Sequence, residues 1–119
     1  MHALMLYFEA NGNALVRTLW HQLATQALPS MLGYQFKPHI TLLAFDGIDP
    51  EKIVACLKSI KVSSLPIRFD ALGSFPDTGV LYLAPTMTQE LLTLHTQLYG
   101  VVAAIKPPAQ YYQPGYWVP

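Results

Sequence analysis

Charge is scarce in this chain. Only 12% of its 119 residues are Asp, Glu, Lys or Arg, and seven basic residues balance seven acidic ones. Zero formal net charge argues against a protein that wraps long nucleic acid, because that task needs many cations to neutralise phosphates. It leaves room for a small pocket that takes one phosphate. Cysteine occurs once, at Cys56, so no internal disulfide can form and a reducing cytoplasm is the expected compartment. No apolar run approaches the ~20 residues of a membrane span, and no membrane partner is expected. The N-terminus lacks the basic n-region and small-residue cleavage site of a secretory signal. There is no Gly-rich phosphate loop after a strand and no Ser in a nucleophile elbow. His and acidic residues are scattered rather than clustered, so neither a metal nor another cofactor is expected.

What the chain does have is apolar mass, at 52% hydrophobic residues. That excludes a disordered tail. A single domain spanning 1–119 can bury roughly two thirds of its unfolded surface. Residues 3–8 read as a strand apolar on both faces, internal to a sheet. Asn11-Gly12-Asn13 reads as a break. Residues 14–28 then read as a helix whose stripe is Val16, Leu19, Leu23 and Ala27, ended by Pro29. After a loop closing on Pro38, residues 39–45 are the strongest strand, from their β-branched and aromatic content. Asp49 and Pro50 cap and start a second helix that buries Ile53, Val54, Leu57 and Ile60. Strands at 66–72 and 80–84, with a turn over 73–79, read as a hairpin. Thr86 or Thr88 caps a third helix with a stripe of Leu91, His95, Leu98 and Val102, stopped by Pro107-Pro108. Residues 109–119 read as an ordered loop packed by its aromatics. The order β-α-β-α-β-β-α predicts an α+β fold, a mostly antiparallel sheet with helices on one face.

Histidine is the residue type to follow for chemistry. His2 has no implied partner, His21 lies off its helix stripe and reads as solvent-facing, and His95 reads as a core histidine. His39 begins a strand with Thr41 two residues on. Period two puts both side chains on one face, with Ile40 and Leu42 on the other. An imidazole beside a hydroxyl can work on a phosphate. The hydroxyl donates to a non-bridging oxygen, and the imidazole moves a proton to or from an attacking or leaving oxygen. Its unperturbed pKa of ~6.5 lies near working pH. The plainer alternative is a strand-edge His and a β-favouring Thr with no role. Cys56 falls on or beside the buried face of its helix, which disfavours a nucleophile. Arg68, on the wetter face of its strand, could reach a phosphate or stand as a solvated edge charge.

The residues around His39 resemble a known family. Phe36-Lys37-Pro38-His39-Ile40-Thr41-Leu42-Leu43 is similar to the first signature of the two-histidine phosphoesterases, among them bacterial 2′-5′ RNA ligase-like proteins and cyclic phosphodiesterases. Leu72-Gly73-Ser74-Phe75-Pro76, Gly79-Val80-Leu81-Tyr82-Leu83 and Leu91-x-x-Leu94-His95 resemble its middle region in the same order. Tyr112-x-Pro114-x-x-Trp117-Val118-Pro119 resembles the stretch leading into its second signature. The resemblance implies a bilobal fold with a His-x-Thr strand from each lobe. It implies one imidazole as general base, the other as general acid, two hydroxyls on the phosphate, and no metal. On this basis His39 and Thr41 are the catalytic candidates. Phe45, Phe75 and Trp117 are candidates for stacking on a base, with core packing the alternative for Phe45 and Phe75, and Arg68 is a further substrate-binding candidate. The chain departs from the pattern in holding one His-x-Thr: it ends one residue before the second histidine would come, so the domain is expected to be incomplete at its C-terminus.

Three readings follow. The first is a phosphoesterase acting on 2′,3′-cyclic phosphates or 2′-5′ linked nucleotides or RNA ends, with half of its site in this chain and its direction, hydrolysis or ligation, open. The second is a non-catalytic module that binds a small nucleotide or a phosphate-bearing RNA terminus. The third is a strand-exchanged homodimer formed through an exposed strand edge.

Overall fold

The structure is a computed structural model that describes residues 1–26 and 37–119. The elements are β1 (His2–Tyr7), α1 (Ala10–Gln26), β2 (His39–Phe45), α2 (Pro50–Leu57), β3 (Phe69–Phe75), β4 (Val80–Pro85) and α3 (Gln89–Ala103), then a 3-10 turn at Gln110–Tyr112. Among the described residues the expected order and α+β class are present, with three helices and two small antiparallel sheets, β1–β2 and β3–β4. The chain divides into two compact units, Met5–Thr41, and Met1–Leu4 with Leu42–Pro119. Among the described residues no helix is long and apolar enough to cross a membrane.

In the smaller unit, α1 starts earlier than its sequence suggests. The Asn11-Gly12-Asn13 stretch lies inside the helix, and the Asn13 amide donates to the Glu9 carbonyl at 2.9 Å. Asn and Gly are costly in helix interiors but tolerated in a first turn, where amides lack helical partners anyway. Gly12 also has a steric reason, since a Cβ there would lie 3.2 Å from that of Phe8. The packed stripe is rotated from the expected one. Ala24 is buried and Val16 and Trp20 are half-buried, whereas Leu19 and Leu23 are exposed. Ala27, Pro29 and the loop up to Phe36 lie outside the described residues. β1 was expected to be internal to a sheet, but among the described residues it pairs with β2 alone. Met5 and Tyr7 are therefore exposed while Leu4 and Leu6 are half-buried.

In the larger unit, α3 follows its pattern closely. Thr88 caps it, accepting from the Leu91 amide at 3.2 Å, and Leu91, Leu94, His95, Leu98 and Val102 are all buried. The helix ends at Ala103, ahead of the Pro107-Pro108 pair expected to stop it. Each fully buried Leu contributes roughly 1.5–3 kcal/mol. α2 packs on α3. Asp49 caps α2 by accepting from the Glu51 amide at 3.0 Å, with Pro50 opening the helix. Its buried face is narrower than expected: Ile53 is buried and Leu57 and Ile60 half-buried, while Val54 and Cys56 are exposed. A helix of eight residues presents barely two turns to its neighbour, so only residues one turn apart reach the core.

The hairpin sits three residues further along than its first strand suggested. β3 pairs with β4 from Phe69↔Pro85 to Phe75↔Val80, with an irregularity between Phe69 and Ala71. The Pro76–Gly79 turn closes it. Asp77 (φ 62°) and Gly79 (φ 69°) there adopt left-handed backbone, which Gly allows and Asp tolerates. Gly73 faces Tyr82 across the ladder, and a Cβ at position 73 would collide with the Tyr82 ring. Leu72, Phe75, Val80 and Leu81 stay exposed.

Candidate active site

β2 carries the two central candidates. Its burial alternates at first, with His39 half-buried, Ile40 buried, Thr41 half-buried and Leu42 buried. From Leu42 to Leu43 the alternation breaks, with two buried residues in succession, and Ala44 is half-buried again. His39 and Thr41 share the more open face at the start of β2. Both belong to the smaller unit.

The imidazole of His39 is held by the backbone. Its Nδ1 lies 2.6 Å from the Lys37 carbonyl oxygen. A carbonyl only accepts, so Nδ1 carries the proton and donates. In the neutral ring the lone pair is then on Nε2. A short hydrogen bond from the far nitrogen fixes both tautomer and orientation. The buried Pro38 between the two residues has a fixed φ, which stiffens the segment that makes this bond. Nε2 can therefore take a proton when the ring is neutral and give one when it is charged, on the strand face shared with the Thr41 hydroxyl. Tyr7, on β1, meets the same imidazole edge-on, with ring centroids 6.3 Å apart at 63°.

The other four candidates, Phe45, Arg68, Phe75 and Trp117, belong to the larger unit. Phe45 is 7% exposed and stacks on His2 at 5.8 Å. Arg68 donates through Nε to Asp70 Oδ1 at 2.7 Å, and Asp70 Oδ2 accepts from the Thr86 hydroxyl at 2.5 Å. The Thr86 hydrogen bond, then Arg68, hold the Asp70 carboxyl below its ordinary range. A phosphate on Arg68 would compete with that pairing. Phe75 is exposed and stacks on Tyr82 at 4.8 Å. Trp117 is buried and lies flat on His95, with centroids 3.9 Å apart and planes 1° from parallel. At least one face of its indole is therefore occupied by the imidazole.

A model of the 2′-5′ RNA ligase superfamily matches residues 12–119. The chain belongs to that superfamily. No curated protein and no solved structure matches it. The stretch shared with the 2′-5′ RNA ligase superfamily includes all six candidate residues; Tyr7 lies just before it.

Two features of this superfamily member were not legible as pairs in its sequence. His95 was expected in the core, and it is 1% exposed. Its Nε2 has no hydrogen-bond partner among the described residues, although the Leu42 and Tyr112 carbonyls lie near enough to favour the charged ring. Burial outweighs them and lowers the His95 pKa. The residue is a packing surface for Trp117 rather than an exposed proton carrier. The second feature is the neighbourhood of His39 and Tyr7. Among the described residues no three His, Cys, Asp or Glu side chains gather where an ion could be held. A cavity of about 230 Å³ in the larger unit is lined by Phe45, Asp46, Lys106 and Tyr112 among others. Lys106 donates there to the Asp46 carbonyl at 3.2 Å.

Proposed function

We propose that the chain is a phosphoesterase acting on 2′,3′-cyclic phosphates or 2′-5′ linked nucleotides and RNA ends. The observation that carries this reading is the His39 imidazole, pinned at Nδ1 by the Lys37 carbonyl on the strand face it shares with Thr41. In the hydrolytic direction, Nε2 takes a proton from a water attacking phosphorus. The Thr41 hydroxyl donates to a non-bridging oxygen as negative charge builds there. The bond from phosphorus to the 2′ or 3′ oxygen breaks, and that oxygen takes a proton from solvent. Run backwards, the charged imidazole gives its proton to the departing hydroxyl oxygen, which leaves as water. Family membership supports the reaction class, and the pinned ring supports His39 as the proton-transfer group.

A second reading, binding of a nucleotide or RNA end without turnover, is favoured by one fact of the sequence. Within these 119 residues only His39 is followed two residues later by Thr or Ser. Incubation with 2′,3′-cyclic AMP, followed by chromatography of the products, separates the readings. Turnover that drops ~10²–10⁴-fold in His39→Ala supports the first. Binding with no product supports the second. Turnover equal to wild type in His39→Ala defeats the catalytic assignment.

A further inference from the structure

Tyr7 has no assigned role, and it is an exposed aromatic whose ring meets that of His39. Its neighbourhood is set by the strand period. Met5 and Tyr7 occupy the exposed positions of β1, and His39 and Thr41 the more open positions at the start of β2. The contact between the Tyr7 and His39 rings, 6.3 Å apart at 63°, puts Tyr7 on the face that carries the imidazole. All four residues lie in the smaller unit.

Tyr7 is 62% exposed. Its hydroxyl is turned along its own strand to the sulfur of Met5, at 3.6 Å. The ring meets the imidazole with only an edge. An aromatic face left to solvent next to a proton-transfer group is costly in water and useful to a flat ligand. One ribose separates a nucleobase from a 2′ or 3′ phosphate, a span of the same order as the separation of the two rings.

The geometry points to Tyr7 as a specificity-determining residue: its ring takes the nucleobase of a substrate whose phosphate sits on His39 and Thr41. The inference rests on the phosphate reading of His39 and adds to it the place of the base. Stacking accepts any base through its π-face, so the site selects nucleotides over bare phosphate without reading sequence.

The test is a titration followed through the ring signals of His39 by NMR. The probes are inorganic phosphate and adenosine 3′-phosphate, used on wild type, Tyr7→Leu, Tyr7→Phe and His39→Ala. Tyr7→Leu keeps an apolar cover without a ring, and circular dichroism checks its fold. Tyr7→Leu is expected to weaken adenosine 3′-phosphate about tenfold, a loss of ~1.4 kcal/mol within the range for base–aromatic stacking. Its phosphate affinity should stay within about twofold of wild type, Tyr7→Phe should bind both probes like wild type, and His39→Ala, followed through Thr41, should weaken both. If Tyr7→Leu leaves the ratio of the two affinities unchanged, or Tyr7→Phe loses as much as Tyr7→Leu, the inference is overturned while the phosphate reading stands. If neither probe shifts His39 at millimolar concentration, the phosphate reading fails and this inference with it.

Discussion

Replacing Trp117 by Ala removes the aromatic that docks the C-terminal segment onto α3. The indole is buried and stacked flat on His95 at 3.9 Å. Burial of roughly 200 Å² at ~25 cal/mol per Å² sets an upper bound of about 5 kcal/mol. The expected loss is about 3 kcal/mol, at the low end for Trp→Ala. For a domain of this size that lowers Tm by roughly 10–20 °C. The stack also carries a pH signature. Burial lowers the His95 pKa in the folded protein, whereas the unfolded chain titrates near ~6.5. Below that pH the unfolded chain binds a proton that the folded protein refuses. Stability contributed by neutral, buried His95 is thus complete above pH ~6.5 and falls as pH drops toward its lowered value, by up to ~1.4 kcal/mol per pH unit. Trp117→Ala hydrates the imidazole and flattens this acid-side slope. Urea unfolding of both proteins between pH 5 and 8 measures both effects. A Trp117→Ala protein within ~0.5 kcal/mol of wild type, with the same slope, would refute the docked stack.

Three further outcomes follow from the fold. Exposed Cys56 should react with a thiol reagent in the folded protein at the rate of a free thiol; protection released only by denaturant would restore it to the core. Gly73→Ala should cost about 1–3 kcal/mol, because its methyl group drives against the Tyr82 ring, and Tyr82→Ala in the same chain should recover part of that loss in thermal melts. Asp49→Ala should cost about 1 kcal/mol through the lost cap on α2, and unchanged stability would show the cap to be idle.

The elements legible in the sequence were those whose pattern is short-range. β2 was bounded correctly because a β-branched and aromatic run starts after Pro38 and ends before Gly47. The stripe on α3 was legible because Leu91, Leu94, His95, Leu98 and Val102 recur at helical spacing. α1 was misread for the opposite reason: Leu15, Val16, Leu19, Trp20, Leu23 and Ala24 form two overlapping apolar stripes, and packing rather than periodicity selects between them. β3 shifted because its limits are set by pairing with β4, a non-local interaction. The same holds at the site. His39 and Thr41 could be placed on one face from period two alone. Tyr7 could not be placed beside them, because that depends on how β1 and β2 pair. Nothing local in the sequence says that Trp117 lies on His95.

On the proposed reading, His39 presents Nε2 to a phosphate because the Lys37 carbonyl holds Nδ1. Nitrogen NMR of labelled histidine at pH 8 tests it directly, with and without adenosine 3′-phosphate. A protonated Nδ1 and a bare Nε2 are expected in the free protein, with the ligand perturbing Nε2 far more than Nδ1. A ring protonated at Nε2, or a ligand that leaves both nitrogens unmoved, would contradict it.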